Sequence, residues 1–511
     1  MFAMSVGNIL TGTIITVLTG FAGNVAAQGH DYPITPVDFT AVTVSDTFWA
    51  ERMETNRTVT LPDNFKKSED TDRISNFAKA AHELSGKHVG IFFNDSDVYK
   101  ILEGAAYTLA LRPDPKLDAY VDQLIATITA AQEPDGYLYT ARTIDPAHPA
   151  EGSGPERWAD IKSAHELYNM GHMMEAAVAH YQATGKRTFL DVAIRCGDML
   201  DRTFGPGKRY AATGHPEMEL ALVKLYRATK DEKYLNLAKF FVDQRGNAEH
   251  RALYGAYFQD HEPFLQQKEA VGHAVRAGYF YSGAADVAAC TGIPDYITAI
   301  DRIWEDVVSK KLYLTGGIGA RHEGEAFGDA YELPNATAYC ETCAAIANAL
   351  WNHRMFLLHG DGKYMDIFER TVYNGFLSGI SLEGNSYFYP NPLAADGIYK
   401  FNHSDIKRQP WFGCSCCPTN VVRFIPSIPG FAYACKGDQI YVNLYFTGEA
   451  RIHTPQGVIT VAQKSDYPWD GRIDLTITPE TEKAFEIRLR IPEWARSEER
   501  RVGKECRSRW S

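Results

Sequence analysis

The chain has 511 residues, 45% of them hydrophobic, and a formal net charge of −12. That length allows more than one domain and a large core. The acidic balance excludes nucleic acid and an anionic membrane surface as partners, since both need a basic footprint.

Residues 1–27 read as an export signal. Ile9–Ala22 is an apolar run, and Val25-Ala26-Ala27 closes it with small residues. The usual basic start is missing, for no Lys or Arg precedes Asp31. No later stretch is apolar for long enough to span a bilayer. The mature chain is therefore expected to be exported, periplasmic or secreted, without stable membrane insertion. Val37–Trp49 alternates weakly, as a strand followed by a packing arm would.

Helical spacing then dominates. It predicts helices over Asp72–Leu84, Ser96–Leu111, Lys116–Gln132, Ile161–Thr184, Arg187–Arg202, Pro216–Thr229, Glu232–Arg245, His273–Thr291, Pro294–Lys310, Tyr339–His359 and Gly362–Gly375. Within Glu217–Tyr226, Met218, Leu220, Ala221, Leu222 and Leu225 carry the period. Short turns such as Ala183-Thr184-Gly185 separate neighbours. Helix pairs without intervening strands predict an (α/α)6 toroid over 28–385, N-terminal arm included, with a pocket inside its inner helices.

The helical period breaks at Ser386, and from Phe431 the chain alternates. Strands are predicted at Gln439–Phe446, Glu449–His453, Gly457–Gln463, Arg472–Thr478 and Ala484–Ile491. Residues 386–495 therefore read as a junction loop followed by an incomplete antiparallel β-sandwich, and the whole as an α+β multidomain protein. Residues 496–511 (RSEERRVGKECRSRWS) resemble the translation of a sequencing adapter. No function is expected of Cys506 or Trp510.

Five of the nine cysteines fall in two short stretches: YCETCA (Tyr339–Ala344) and WFGCSCCPTN (Trp411–Asn420). Vicinal Cys416-Cys417 meets disulfide geometry only with strain. Two adjacent thiolates with Cys343 and Glu341 instead form a shell of three sulfurs and one oxygen, suited to tetrahedral Zn2+. Buried inert cysteine explains an isolated residue, but not five in two stretches. Thr315–Phe327 (TGGIGARHEGEAF) lacks the Lys-Ser/Thr ending of a phosphate loop. Its Glu323 and Glu325 are candidate proton donors beside such a cluster.

GEAF at Gly324–Phe327, ETCA at Glu341–Ala344 and WFGCSCCP at Trp411–Pro418 together resemble the zinc-dependent β-L-arabinofuranosidases, glycoside hydrolase family 127 and its near relative family 146. Further similar motifs are NDSDVYK (Asn94–Lys100), HELYNMGH (His165–His172), GHPEMELALVKLY (Gly214–Tyr226), GHAVRAGY (Gly272–Tyr279) and ISLEGNSYFYPNPL (Ile380–Leu393). The likeness runs from Val37 to Ala495. It implies that Cys416 is the nucleophile and Glu325 the acid/base, with zinc held by Glu341, Cys343, Cys416 and Cys417. It also implies sugar contacts from His165, His215, His273, Glu369, Tyr389 and Asp95, with His172 behind them. The implied reaction is retaining hydrolysis of β-L-arabinofuranosides, a thiolate standing in for the usual nucleophilic carboxylate. Plant arabinose-containing glycans are the implied partners, and a homodimer is compatible with it. Departures are Cys340, where relatives often carry Gly, and Pro-Thr-Asn after the cysteine pair, where Pro-Pro-Asn is frequent. Cys414 is shared with relatives without being a ligand there. Two other readings remain open: the same site acting on another pectin sugar, and a non-catalytic sugar-binding protein with a closed structural zinc.

Overall fold

The computed structural model of the chain describes residues 30–498. The export-signal reading of 1–27, and the adapter reading beyond Glu498, lie outside those residues. Helices α1 (Trp49–Thr55), α2 (Leu61–Asp70) and α3 (Arg73–Ala80) lead to α4 (Asp95–Leu111) and α5 (Pro115–Ala131). The short α6 (Thr140–Thr143) precedes α7 (Glu166–Thr184), α8 (Thr188–Thr203), α9 (Met218–Thr229) and α10 (Glu232–Gln244). Then come α11 (Ala274–Thr291), α12 (Pro294–Lys310), α13 (Thr342–His359), α14 (Gly362–Arg370) and α15 (Cys416–Phe424).

Two kinds of helix follow from two burial patterns. In α11 every residue from Ala274 to Cys290 is buried, whereas α12 buries Tyr296, Ala299, Ile300, Ile303, Trp304 and Val307 along one stripe. A helix apolar all round must be enclosed, and a striped one lies on a surface. Accordingly α4, α7, α9, α11, α13 and α15 form an inner ring, each packed on the next and α15 returning to α4. Helices α5, α8, α10, α12 and α14 back the first five, and α2 covers the seam between α15 and α4.

Trp49–Asp70, for which no element is predicted from sequence, is helical. The ring corrects one sequence-based expectation: the stretch read as a junction loop supplies the sixth inner helix, so the boundary at 385 cuts through the toroid. Pro418 does not prevent this, because it lies in the first turn of α15, where a missing N–H breaks no helical hydrogen bond.

Strands β1 (Thr35–Pro36) and β2 (Val42–Val44) come from the N-terminal arm. The others are β3 (Tyr433–Lys436), β4 (Gln439–Val442), β5 (Gly448–Thr454), β6 (Gly457–Ser465), β7 (Ile473–Pro479) and β8 (Glu486–Leu489). One sheet has the order β1-β3-β4-β8 and the other β2-β5-β6-β7. All pairings are antiparallel except β4 with β8, which is parallel with Gln439 opposite Glu486. Because β7 belongs to the other sheet, β8 arrives by a crossover, and a crossover permits parallel pairing where a hairpin does not.

Glycine lets the inner helices approach. A Cβ on Gly104 of α4 would stand 2.5 Å from a Val422 methyl of α15 and 2.7 Å from its carbonyl oxygen. A backbone atom cannot swing away as a side chain can. Gly104→Ala is therefore expected to destabilise the ring by about 1–3 kcal/mol, read as a lower thermal midpoint. Deeper in the ring, Arg423 of α15 bridges Glu103 (2.8 Å) of α4 and Glu175 (2.6 Å) of α7, and donates to the Tyr279 hydroxyl (3.0 Å) of α11. This network lines a cavity of about 440 Å3, which Lys224, Asp286 and Arg354 of the inner helices and Tyr32 of the arm also border. Among the described residues, no helix is long and apolar enough to cross a membrane.

Candidate active site

The inner helices run in one direction, so their N-termini gather at one end. His165 caps α7, His273 caps α11, Glu341 caps α13, and Cys416 is the first residue of α15. His215 lies three residues before α9. Residues more than 250 positions apart are thereby neighbours. The positive ends of the helix dipoles favour anions at this end of the barrel.

The cysteine cluster assembles from α13 and α15. Cys343 Sγ lies 3.4 Å from Cys417 Sγ, and Glu341 Oε1 lies 3.4 Å from Cys417 Sγ and 3.5 Å from Cys416 Sγ. One donor atom from each of the four residues lies within 4.8 Å of the other three. A tetrahedral ion with metal–sulfur bonds of about 2.3 Å and a metal–oxygen bond of about 2.0 Å sets edges of roughly 3.5–3.8 Å. The observed spacings match those edges closely. The second Glu341 oxygen is buried without a partner. Burial, reinforced by the crowded sulfurs, pushes Glu341 and Cys417 well above their ordinary values. Buried uncompensated anions cost several kcal/mol each, so this set can be charged together only around a cation. The donor types and spacing fit zinc.

Glu325 faces the cluster from the loop Arg321–Ala326. Its backbone is left-handed (φ 51°), and the loop is pinned by bridges from Ala326 to Arg321 and His273. A non-glycine residue in that region persists only where the surroundings over-determine it. Tyr339 donates from its hydroxyl to Glu325 Oε1 (2.8 Å), and His273 Nε2 lies 2.9 Å from Oε2. The His273 tautomer follows from its capping role. Its Nδ1 accepts from the amides of Val275 and Arg276, so the proton is on Nε2 and is donated to Glu325. Burial works to raise the Glu325 carboxyl, but the His273 and Tyr339 hydrogen bonds outweigh it and hold the group below the ordinary carboxylate range. Ligand atoms of His273, Glu325 and Glu341 also lie within 4.8 Å of one another. Glu341 thus touches both the Glu325 side and the thiol side of the site.

His165 and His215 have the opposite tautomer. Their Nδ1 atoms lie 2.5 Å from the Ser163 carbonyl and 2.9 Å from the Pro216 carbonyl, and each can only donate there. Their Nε2 atoms are therefore acceptors. Burial, helped by the nearby Arg276 guanidinium, keeps both rings neutral, with His165 lowered to about 3. The three imidazoles form a row, with centroids 5.8 Å apart from His165 to His215 and 5.9 Å from His215 to His273. Tyr389 closes the other side, its hydroxyl 3.0 Å from Cys416 Sγ.

Not every predicted residue arrives. Glu369 does not join the site. It is on α14, buried against the sheets, where it accepts from Tyr467 (2.6 Å) and is paired with Arg490. Both carboxylate oxygens serve the contact between helices and sheets. Asp95 is fully buried, with its oxygens taken by the Thr140 hydroxyl (2.5 Å) and amide (2.8 Å), so no sugar hydroxyl reaches it. His172 lies one layer deeper, 2.9 Å from Glu217. Cys340 is buried beside Gly317 rather than in the cluster. Cys414 hydrogen-bonds to Cys416, and that bond, with burial, pushes its thiol well up. Tyr339 and Arg276 were not singled out from sequence. The available signal for Tyr339 was its place two residues before Glu341.

Residues 41–430 match the β-L-arabinofuranosidase GH127 catalytic domain, and 439–508 match the GH127 middle domain. The non-reducing end β-L-arabinofuranosidase of Bifidobacterium longum subsp. longum is 37% identical over 503 residues, covering 89% of this chain and 76% of its own length. The solved GH127 β-arabinofuranosidase BT3674 is 55% identical, with a TM-score of 0.87 over 91% of this chain and 73% of its own. Ara127N-Se, a GH127 β-L-arabinofuranosidase from Geobacillus stearothermophilus T6, is 39% identical, with a TM-score of 0.84 over 89% and 75%. By sequence and by fold, the chain belongs to glycoside hydrolase family 127, the β-L-arabinofuranosidase family.

Proposed function

We propose that the protein releases L-arabinose from the non-reducing ends of β-L-arabinofuranosides with retention of configuration. The observation that carries this reading is the pairing, across Glu341, of one hydrogen-bonded carboxylate, Glu325, with one helix-terminal thiol, Cys416. Retaining hydrolysis needs one proton-transferring group and one nucleophile at short separation. Zinc bound by Glu341, Cys343, Cys416 and Cys417 would keep the sulfurs ionised near neutral pH.

In the first step Cys416 Sγ attacks the anomeric carbon and the glycosidic C–O bond breaks. Glu325 gives its proton to the leaving oxygen. That proton requires the carboxyl to be neutral when the substrate is seated. A bound sugar strips water from Glu325 and strengthens the desolvation that already acts to raise it. In the second step Glu325 takes a proton from water, whose oxygen displaces sulfur from the same carbon. Two inversions restore the original configuration. His165 and His215 offer Nε2 acceptors to sugar hydroxyls, which holds the ring in line with the sulfur.

Stripping the metal with a chelator is expected to abolish arabinose release, and added zinc to restore it. α-L-Arabinofuranosides should be inert throughout. Full turnover by protein shown to be metal-free would refute the proposal.

A further inference from the structure

The mouth of the site has a repeated construction. Two buried tyrosines each touch one reacting group: Tyr339 bonds to Glu325, and Tyr389 lies against Cys416. Each also carries an exposed histidine on its ring. His322 meets the edge of Tyr339 with centroids 5.1 Å apart, and His403 meets Tyr389 at 4.6 Å. The two tyrosine rings are 6.2 Å apart, so the histidines flank one opening. Neither imidazole has a hydrogen-bond or ion-pair partner among the described residues.

His403 is held there at the expense of backbone strain. His403 (φ 50°) and Ser404 (φ 74°) are both left-handed, in a tight turn closed by Asn402 and Asp405 (2.9 and 3.2 Å). Such turns favour Asn-Gly rather than His-Ser. The Asn402 side chain locks the turn by accepting from the Tyr389 amide (2.8 Å) and donating to the Tyr387 and Lys407 carbonyls. The turn is thus fastened to the residue that touches the thiol. Strain kept in place this firmly marks a residue with a task. Burial lowers the His403 imidazole while the charge of Glu325 works the other way, so His403 and Glu325 lie within electrostatic reach of each other.

We propose that His322 and His403 form the subsite for the leaving group, and that the group they recognise is a second sugar unit whose hydroxyls bridge the two imidazoles. The inference rests on the proposed hydrolysis. The leaving oxygen departs toward Glu325, and whatever it is attached to must pass between these two rings. Unpaired imidazoles can donate and accept, which suits neighbouring hydroxyls.

The test compares two substrates that both need protonation of the leaving oxygen: a β-L-arabinofuranosyl disaccharide and methyl β-L-arabinofuranoside. The variant is His322→Ala with His403→Gly, since glycine takes the left-handed backbone at 403 without strain. Its thermal midpoint is recorded to confirm the fold. The ratio of kcat/KM on the disaccharide to that on the methyl glycoside is expected to fall about tenfold or more. A ratio within twofold of the parent enzyme overturns the subsite, whether both rates fall together or neither moves. A parent enzyme that cleaves neither substrate overturns the hydrolase reading, and the subsite with it.

Discussion

Replacing Cys416 with serine is expected to lower kcat on β-L-arabinofuranosides by at least about 10^4-fold, on the scale seen when a covalent nucleophile is removed. The change is one atom, and volume is nearly conserved. A hydroxyl is not ionised near neutral pH, and the carboxylate beside position 416, Glu341 at 3.5 Å, is a member of the metal-donor set and so is not free to serve as its base. Tyr389, at 3.0 Å, is itself pushed far up by burial and cannot act as one. The serine enzyme is also a poorer soft-metal ligand, so zinc content must be measured alongside activity. Cys343→Ser serves as the control that removes a ligand but not the nucleophile. A slow substrate should leave a sugar adduct on Cys416 of the parent protein, detectable by peptide mass spectrometry. Near-normal turnover in Cys416→Ser protein would end the thiol mechanism.

Removing the carboxyl at position 325 is expected to give a different signature. Glu325→Gln should lose about 10^2–10^4-fold on sugar leaving groups, which need the proton. It should lose far less in the first step on aryl leaving groups, which depart unassisted. Glu325→Gly is the more informative variant here, because glycine occupies φ 51° freely while opening room beside Tyr339 and His273. Azide, which needs no base, should then restore breakdown of the covalent intermediate and yield the β-configured glycosyl azide. The limb of the pH–rate profile assigned to the acid/base should vanish in both variants. Loss of activity that is equal for all leaving groups, with no azide rescue, would assign Glu325 a structural role.

Some of this was legible in the chain itself. Pro294–Lys310 is a helix with the predicted bounds, because its apolar residues recur at helical spacing behind a proline start. Strand β5 was legible for the analogous reason, alternating between buried and exposed positions from Gly448 to His453. The four metal-donor side chains were legible from the clustering of cysteines in two short stretches, since neighbouring thiols and a carboxylate have few other uses. Helix α15 was not. Cys-Cys-Pro-Thr-Asn has poor helix propensity, and its helical form depends on enclosure by α4, α13 and α2. Glu369 was misjudged because a carboxylate in a matching segment does not reveal its partner. That partner, Arg490, is 121 residues away on the far side of a domain contact.

The sequence by itself determined most of the segments that coil or extend, α15 being an exception, and which side chains have the chemistry of a thiolate–metal site, because these depend on neighbours a few residues apart. Tertiary structure alone decided that six helix N-termini meet at one end. It therefore decided the tautomers of His165, His215 and His273, the two hydrogen bonds on Glu325, and the withdrawal of Asp95 and Glu369 from the pocket. The reason is physical: hydrogen-bond partners and burial are set by closure of the ring, which joins residues hundreds of positions apart and leaves no mark on local periodicity.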